Sequence, residues 1–374
     1  MPTRWGRAVT EVVIVQPYLP RYRLPFFDGL FAALEEQDVR LRVIAGEASK
    51  EQAQRGDSSR ASWLEQVPPR ALSIGSRQLV LTRTSHLWKG SDAVVVPHQG
   101  SSLDALMASI GRHSRPVGVW GHIASYTSPL NPIDGAIERW QLRRAQHVFA
   151  YMPGGAAFAR GQGVPAERIT TVMNTIDTAS LEASLARTTA ADIEAFRKLH
   201  HIPDTPYVSY VGGLDRSKRV DVLAESLDVL HRRGSDVHIV VAGHGEQEHL
   251  LRAAAARGQA TLVGYADVGT KAIILKGSEA IANPGRVGLI AVDALTAQRP
   301  IVTTQWPWHA PEIEYLRVNE SLFMTPDNAA DFAHALETAA LRTATASPIE
   351  WPTPPRMEAM VANFRNGLIA LLTS

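Results

Sequence analysis

Residues 283–295, NPGRVGLIAVDAL, join a glycine-containing loop to an apolar run with a single acid. If a helix begins near Gly288, the amides of Gly288, Leu289 and Ile290 have no acceptor within the helix, and the helix dipole favours an anion beside them. Asp293 lies one turn further on, where a carboxylate can accept hydrogen bonds from sugar hydroxyls. An acid on an ordinary helix surface is the alternative. We predict a phosphate site next to a hydroxyl-binding carboxylate.

Two further glycine-containing turns precede this stretch. In VGGLDRSKRVDVL (211–223), a predicted strand runs into two glycines and a basic turn, where a phosphate could approach the backbone and be neutralised. An exposed basic loop would have the same composition. In VAGHGEQEHLL (241–251), a Gly-x-Gly lies at a strand–helix junction, and a tight turn with ordinary packing is the alternative. The residues concerned are Gly212, Gly213, Arg216, Lys218, Arg219, Gly243 and Gly245.

Candidate residues in the first half follow predicted strands. His122 comes after VGVWG and His98 ends VVVPH, and a structural role is the alternative for each. In QPYLPRYRLPFFDGL, Tyr18, Tyr22 and Arg23 could meet a sugar or an anionic acceptor. That segment has no GxGxxG, which argues against dinucleotide binding.

One loop late in the chain is left open between two interpretations. TTQWPWHAPEIEYL contains Trp306, Trp308, His309 and Glu312 after a predicted strand. These residues either line a site or seal the loop.

The elements that must position these residues alternate between strands and helices. Predicted strands such as EVVIVQP, VRLRVIAGE, QLVLTR (78–83) and DAVVVPH are apolar on both faces, which indicates parallel sheets covered by helices. We predict an α/β chain of two Rossmann-like domains that face each other across a cleft, with ligands at the carboxyl ends of the strands. The expected domains are 1–180 and 200–350, with a linker near 178–206 and a terminal helix, 355–374, that packs on the first domain.

Composition narrows the function classes. A chain of 374 residues with 45% hydrophobic and 20% charged residues fits two globular domains. It contains no cysteine, so disulfides and cysteine-ligated metal sites are excluded. A net charge of +1 gives no reason to expect nucleic acid, while the weakly basic first half would suit an anionic acceptor or a membrane surface. No apolar segment is long enough to span a membrane, so we expect a cytoplasmic protein, with any membrane contact peripheral and at the inner face.

Taken together, these segments resemble family 4 of the retaining, nucleotide-sugar-dependent glycosyltransferases, which have the GT-B fold. YVGGLDRSKRVDVL is similar to the family segment G-R-L-x-x-x-K-G, and VAGHGEQEHLL is similar to its G-x-G-P/E turn. PGRVGLIAVDALTAQRPIVTT resembles its E-x7-E motif, and WGH resembles the segment whose histidine approaches the donor sugar. The resemblance spans nearly the whole chain, in order.

The resemblance implies a role for each site residue. Lys218 should bind the donor pyrophosphate together with the amides of Gly288 and Leu289, Asp293 should hold the ribose hydroxyls, and His122 should contact the hexose. Catalytic roles fall to His122, Lys218 and Arg216. The remaining donor-binding candidates are Gly212, Gly213, Arg219, Gly243, Gly245, Pro284, Gly285, Arg286 and Val287, and the acceptor-binding candidates are Tyr18, Tyr22, Arg23 and His98. No metal and no cofactor other than the donor is expected.

Two positions depart from the family pattern. Gly285 stands where the first glutamate of the motif is expected, and Gly213 stands where a phosphate-binding arginine is expected. Arg216 or Arg219 could supply the missing charge, and backbone groups from Gly285 to Val287 could hold the sugar in place of the glutamate.

We therefore predict hexose transfer from a nucleoside diphosphate sugar with retention of anomeric configuration, in the assembly of a cell-surface polysaccharide or glycolipid. The class of acceptor is left open among a glycan, a lipid-linked saccharide and a small molecule of the antibiotic type. A nucleotide-sugar-binding scaffold without transfer activity is a second hypothesis. A nucleotide-sugar epimerase is disfavoured by the lack of an early GxGxxG and of a Tyr-x-x-x-Lys pair.

Overall fold

The computed structural model describes residues 9–47, 61–68, 70–74, 77–81, 84–110, 115–129, 131–341 and 350–374. The chain divides into two compact units. The N-terminal unit comprises Met1–Ile176 and Met357–Ser374, and the C-terminal unit comprises Asp177–Arg356.

The N-terminal unit is built on a parallel sheet. Its strands are β1 (Thr10–Gln16), β2 (Val39–Gly46), β3 (Leu64–Val67), β4 (Arg70–Ile74), β5 (Arg77–Leu81), β6 (Ala93–Pro97), β7 (Val117–Gly121), β8 (His147–Ala150) and β9 (Ile169–Thr171). The parallel sheet has the order β3-β2-β1-β6-β7-β8-β9, and the central strands are buried on both faces. Its helices are α1 (Leu24–Glu35), α2 (Ser85–Trp88), α3 (Leu103–Ile110), α4 (Pro132–Arg144) and α5 (Pro153–Gly161).

One strand prediction for this unit is wrong. QLVLTR (78–83) was expected to join the parallel sheet, but residues 77–81 form β5, which pairs only with β4 in an antiparallel, two-stranded sheet within the described residues. Residues 82–83 lie outside the described residues. An apolar run of this length does not reveal its partner strand, because periodicity carries no information about pairing.

The C-terminal unit holds a second parallel sheet, ordered β12-β11-β10-β13-β14-β15. Its strands are β10 (Tyr207–Val211), β11 (His238–Ala242), β12 (Ala260–Gly264), β13 (Ala280–Ala282), β14 (Ile301–Thr304) and β15 (Leu322–Thr325). Its helices are α6 (Thr178–Arg187), α7 (Ala190–Leu199), α8 (Val220–Arg232), α9 (Arg252–Ala256), α10 (Val268–Gly277), α11 (Ile290–Ala297) and α12 (Ala329–Ala340). The expected linker at 178–206 instead contains α6 and α7, whose buried faces pack on α10 and belong to this unit.

The last helix, α13 (Met357–Leu372), packs in the core of the N-terminal unit. Phe364 stacks on Phe149 of β8 with ring centroids 4.4 Å apart and meets Trp120 of β7 at 4.7 Å. Each such aromatic pair contributes about 1 kcal/mol beyond its buried area. The chain terminus is therefore an integral part of this unit.

Candidate active site

The predicted phosphate loop lies at the carboxyl end of β13. Helix α11 begins at Ile290, two residues later than the sequence indicated, with Leu289 as its N-cap. Within the part of the chain that the structure describes, the amides of Gly288, Leu289 and Ile290 donate no hydrogen bond. Three consecutive donors at a helix start form a site for an anion.

Gly285 is held against the turn that contains Lys218. Its amide donates to the Lys218 carbonyl at 3.1 Å, and the next amide, that of Arg286, donates to the Ser217 carbonyl at 2.8 Å. A Cβ at position 285 would lie 2.5 Å from the carbonyl carbon of Lys218 and 2.8 Å from the amide nitrogen of Arg219. The backbone therefore leaves no room for a side chain at this position, which explains why a glycine replaces the expected glutamate.

Lys218 connects this turn to the phosphate loop. It lies in a short 3-10 turn, Arg216–Lys218, and its Nζ donates to the carbonyl of Arg286 at 2.7 Å. Arg286 is two residues before Gly288. The predicted pyrophosphate-binding ammonium is thus fixed beside the loop with the unused amides.

The two arginines proposed to supply further charge differ in their surroundings. The Arg219 guanidinium is held by contacts within the protein. It donates to Asp327 at 2.9 Å, pairs with Asp221 at 3.2 Å and lies 4.7 Å from the ring of Trp306. Arg216 keeps 87% of its side chain exposed, and among the described residues its one ion pair is with exposed Glu246, at 3.7 Å. Arg216 is therefore the arginine of the two that can move to a ligand.

The sequence analysis missed the side chains that hold the start of the loop, at Asn283 and Pro284. Asn283 is 1% exposed, and its carbonyl accepts from the Thr303 hydroxyl at 2.7 Å. The Thr304 hydroxyl donates to the Pro284 carbonyl at 2.8 Å. Polar residues at the ends of two neighbouring apolar strands, β13 and β14, were the available signal.

His309 also fixes the loop. Its Nδ1 accepts from the amide of Val287 at 3.1 Å, and its Nε2 lies 3.1 Å from the Thr304 carbonyl, so the ring is neutral with the proton on Nε2. Burial lowers the pKa of His309, with Lys218 as a lesser cause. Of the two interpretations left open for this segment, sealing the loop is the one that His309 and the Arg219–Trp306 contact support.

The Gly-x-Gly turn has a structural explanation. A Cβ on Gly243, whose φ is +145°, would collide with the carbonyl oxygen of Gly212, and one on Gly245 would collide with the carbonyl of Leu214. The amide of Gly212 donates to Ala242 at 2.9 Å. These glycines allow the ends of β10 and β11 to approach closely, which does not require a ligand.

Asp293 lies in the first turn of α11 and is 7% exposed. Its Oδ1 accepts from the Nζ of Lys271 at 2.7 Å, and Lys271 comes from the first turn of α10. No pattern in the sequence indicates this partner.

In the N-terminal unit the candidates form an aromatic cluster at the carboxyl edge of the sheet. The guanidinium of Arg23, 4% exposed, lies 5.1 Å from the ring of Trp120, 5.1 Å from that of Tyr151 and 5.4 Å from that of Tyr22. His122 meets the same Tyr151 at 5.0 Å, edge to face. Tyr22, Arg23 and His122 are thus brought together through Tyr151, which sequence reasoning missed.

His98, which follows β6, contacts a helix instead. The Nε2 of His98 lies 3.1 Å from the carbonyl of Glu138 on α4, and burial lowers the pKa of His98 to about 4. The Glu138 carboxylate accepts from the Gly100 amide at 2.9 Å, and burial raises its pKa. Tyr18 is half-buried after β1. For His98 the contacts describe a residue that joins a helix to a strand end.

The described residues contain neither a cluster of metal ligands nor a membrane-spanning helix. No group of three or more His, Asp or Glu side chains there could hold a metal ion. None of the described helices is both long enough and apolar enough to cross a membrane.

The two parallel sheets, each covered by helices, define the GT-B fold. Comparison with known proteins agrees: residues 27–180 match the model described as Glycosyltransferase Family 4, and residues 205–341 match the one described as Glycosyl transferases group 1. These two matches support a glycosyltransferase with the GT-B fold.

One curated relative and several solved structures are similar to the chain. Alpha-D-kanosaminyltransferase of Streptomyces kanamyceticus is 30% identical over 123 residues, which are 30% of this chain and 32% of that enzyme, so the match spans about a third of the relative. HepE of Anabaena, solved in complex with UDP, has a TM-score of 0.62 at 15% identity and covers 96% of this chain and 94% of its own. A glycosyltransferase of Rickettsia africae has a TM-score of 0.61 at 14% identity, with 97% and 96% covered.

The fold does not by itself separate transfer from epimerisation. UDP-GlcNAc 2-epimerase of Methanocaldococcus jannaschii has a TM-score of 0.58 at 15% identity, with 96% of this chain and 99% of that chain covered. The missing GxGxxG and Tyr-x-x-x-Lys therefore argue only against epimerases that use those motifs. The family matches are what favour a transferase.

Proposed function

We propose that this protein transfers a hexose from a nucleoside diphosphate sugar to an acceptor, with retention of anomeric configuration. The observation that carries the proposal lies in the C-terminal unit, where the three consecutive amides of Gly288 to Ile290 are unused. The Lys218 ammonium is held beside them, because it donates to the carbonyl of Arg286, two residues before Gly288. Asp293, one turn later, supplies the acceptor for sugar hydroxyls.

In this proposal the protein stabilises the leaving diphosphate. The amides and the Lys218 ammonium take up the charge that develops as the glycosidic bond breaks, and exposed Arg216 closes on the diphosphate to replace the arginine absent at Gly213. One such contact stabilises a transition state by about 2–4 kcal/mol. The acceptor hydroxyl attacks from the face that the diphosphate leaves, and the diphosphate oxygen takes its proton. No metal ion is invoked, and full turnover in excess EDTA is expected.

The hexose is held without the usual glutamate. Because position 285 has no room for a side chain, the proposed replacements are the carbonyl oxygens of Arg286 and Val287. Each accepts one hydrogen bond, from Lys218 and from the Ala310 amide, and each has a second lone pair for a sugar hydroxyl. Lys218 and His309 fix this backbone from two sides, through the Arg286 carbonyl and the Val287 amide. His122, in the N-terminal unit, is proposed to contact the hexose.

For the acceptor we propose a glycan or lipid-linked saccharide bound by the N-terminal unit near the Arg23 cluster. A small-molecule acceptor is the second candidate. The partial match to a kanosaminyltransferase supports sugar transfer without choosing between them.

Peripheral membrane contact has one candidate surface in the N-terminal unit. Met107, Ile110 and Ile133 on α3 and α4 are 41%, 59% and 58% exposed, with Arg139 and Arg143 exposed on the same helix as Ile133. Exposed apolar side chains, on a helix that also carries exposed arginines, suit an anionic lipid surface. Flotation with vesicles that contain phosphatidylglycerol should fall for Ile110→Asp and Ile133→Asp and stay unchanged for Leu199→Asp, an exposed leucine in the other unit.

The decisive experiment combines donor screening with turnover. UDP-, GDP- and dTDP-sugars are screened by thermal shift, and the radiolabelled form of the stabilising donor is then assayed for transfer and slow hydrolysis. Turnover with an α-configured product from an α-configured donor supports the proposal. Binding without turnover supports the scaffold hypothesis, a C2 epimer of the donor sugar supports an epimerase, and no shift with any donor contradicts the donor site.

A further inference from the structure

Arg219 has a backbone conformation that favours glycine. Its φ is +53°, in the left-handed region, where any side chain costs free energy that glycine avoids. The family segment G-R-L-x-x-x-K-G, which residues 212–219 resemble, has a glycine at this position. An arginine at such a position is explained by contacts that a glycine could not make.

The principal contact of the Arg219 side chain is with Asp327. Its Nη1 donates to the two carboxylate oxygens of Asp327 at 2.9 and 3.1 Å, and its Nε donates to Asp221 at 3.2 Å. The side chains of Arg219 and Asp327 are 19% and 31% exposed. The pair is therefore partly shielded from water and is screened less by salt than a pair on the open surface.

Asp327 also reaches the loop that carries the unused amides. Its Oδ1 lies 2.8 Å from the hydroxyl oxygen of Thr304, and the same hydroxyl lies 2.8 Å from the carbonyl of Pro284. A hydroxyl has one proton, so these two acceptors compete for it. Because the Arg219 guanidinium neutralises the carboxylate, the proton is left to the Pro284 carbonyl, and the start of the loop is held.

These contacts connect the two halves of the candidate donor site. Arg219 directly follows the turn that carries Lys218, and Pro284 lies four residues before the first unused amide. The sheet order includes β10-β13-β14-β15, with the Lys218 turn after β10 and Asp327 after β15. The Arg219–Asp327 pair thus bridges the carboxyl ends of four neighbouring strands.

We propose that Arg219 and Asp327 are positioning residues that hold the Lys218 ammonium in register with the row of amides, an inference that rests on the proposed function. Neither side chain touches the diphosphate in this role. The carboxylate of Asp327 fixes the Lys218 turn through Arg219 and the loop through Thr304, so the pair affects turnover through Lys218.

The first test restores glycine at position 219. Arg219→Gly removes the contact with Asp327 but relieves the backbone conformation, so we expect kcat to fall about tenfold while the urea midpoint of unfolding changes little. Asp327→Asn, which keeps the shape of the side chain and removes its charge, should lower kcat by a similar factor. A purely structural pair would instead lower the midpoint and leave kcat of the folded enzyme unchanged.

A double mutant shows whether the pair acts through Lys218. Adding Asp327→Asn to Lys218→Ala should lower kcat by less than about twofold further, because the group that the pair positions is already absent. Calorimetric affinity for UDP and GDP provides the same comparison without turnover. Asp228→Asn is the matched control, since Asp228 pairs with Arg257 at 2.7 Å elsewhere in the same unit, and it should keep the wild-type kcat.

Two outcomes overturn the inference and leave the proposed function intact. One is a wild-type kcat in both Arg219→Gly and Asp327→Asn. The other is a tenfold effect of Asp327→Asn that persists in full when Lys218 is already alanine. A wild-type protein that neither binds nor turns over any nucleoside diphosphate sugar overturns the proposed function and this inference together.

Discussion

The candidate sites in the two units are built from different materials. In the C-terminal unit the candidate donor loop, residues 283–290, is made largely of backbone: three amides, two carbonyls and a glycine without room for a side chain, with Lys218 as the principal cation. In the N-terminal unit the cluster around Arg23 consists of side chains. Its guanidinium contacts the rings of Trp120 on β7, Tyr151 after β8 and Tyr22 in the turn before α1.

This difference has a functional consequence. Nucleoside diphosphates share one phosphate geometry, which a fixed backbone can match. Acceptors differ in shape, and side chains can change without disturbing the fold. The comparison predicts that lesions in the C-terminal unit affect donor binding and turnover, whereas lesions at the Arg23 cluster affect stability and acceptor use.

The largest effect is expected from Lys218→Ala. Turnover should fall about 100-fold or more, because the ammonium stabilises charge that develops on the leaving diphosphate. Steady-state kinetics with the donor found by screening would measure it. Lys198→Ala, an exposed lysine in the same unit, is the control and should keep wild-type kinetics. A Lys218→Ala enzyme with near-normal kcat would remove the phosphate role.

Restoring the expected glutamate should harm the protein. In Gly285→Glu the new Cβ would meet the backbone of Lys218 and Arg219. We therefore expect the free energy of unfolding to fall by about 1–3 kcal/mol and turnover to fall at least tenfold. Chemical denaturation and kinetics test both. Gly161→Glu is matched, because a Cβ there meets nothing within 4 Å, and it should be neutral. Higher activity in Gly285→Glu would show that the loop can open.

A smaller effect should come from Arg23→Met in the N-terminal unit. Loss of its contacts with three rings should lower the free energy of unfolding by about 1–2 kcal/mol. Nucleotide affinity, measured by calorimetry, should stay unchanged because the donor loop belongs to the other unit. Arg21→Met, an exposed arginine of the same turn, serves as the control. A weakened nucleotide affinity in Arg23→Met would contradict the prediction that the Arg23 cluster does not take part in donor binding.

The smallest effect at neutral pH, and a growing one below it, should come from buried histidines. Burial lowers the pKa of His98 and of His147 to about 4, from the usual value near 6.5. A lowered histidine pKa favours the neutral ring in the folded state. Its stabilisation is present in full above about pH 6.5 and is lost as the pH falls towards 4.

Urea unfolding at pH 7.5, 6 and 5 tests this dependence. The midpoint should fall with pH, and His147→Gln should show a flatter dependence, because glutamine does not titrate. Glutamine can also keep a hydrogen bond to the Thr170 hydroxyl, which lies 2.8 Å from the histidine ring. A wild-type midpoint that is the same at pH 7.5 and pH 5 would contradict the pKa assignment.

Patterns in the sequence predicted most of the fold and the donor loop. The alternation of apolar strands and amphipathic helices predicted two parallel sheets, and the glycines before α11 predicted its unused amides. The pairing predicted for β5 is wrong, and residues 178–206, expected as a linker, contain α6 and α7 of the C-terminal unit. Strand partners and the faces that helices cover depend on contacts between distant residues. Lys271, Tyr151 and the anchors of the loop were missed for the same reason.

By itself the sequence determined the class of chain, the position of the loop with the unused amides and the absence of a glutamate at 285, because each follows from residue types at fixed local spacing. Only the tertiary structure decided why that glutamate is absent, since the obstruction comes from backbone atoms of residues 217–219, more than sixty positions away. It also decided that Arg219 is bound to Asp327 while Arg216 is exposed. Sterics and charge pairing act through space, and the chain order does not encode which distant groups meet.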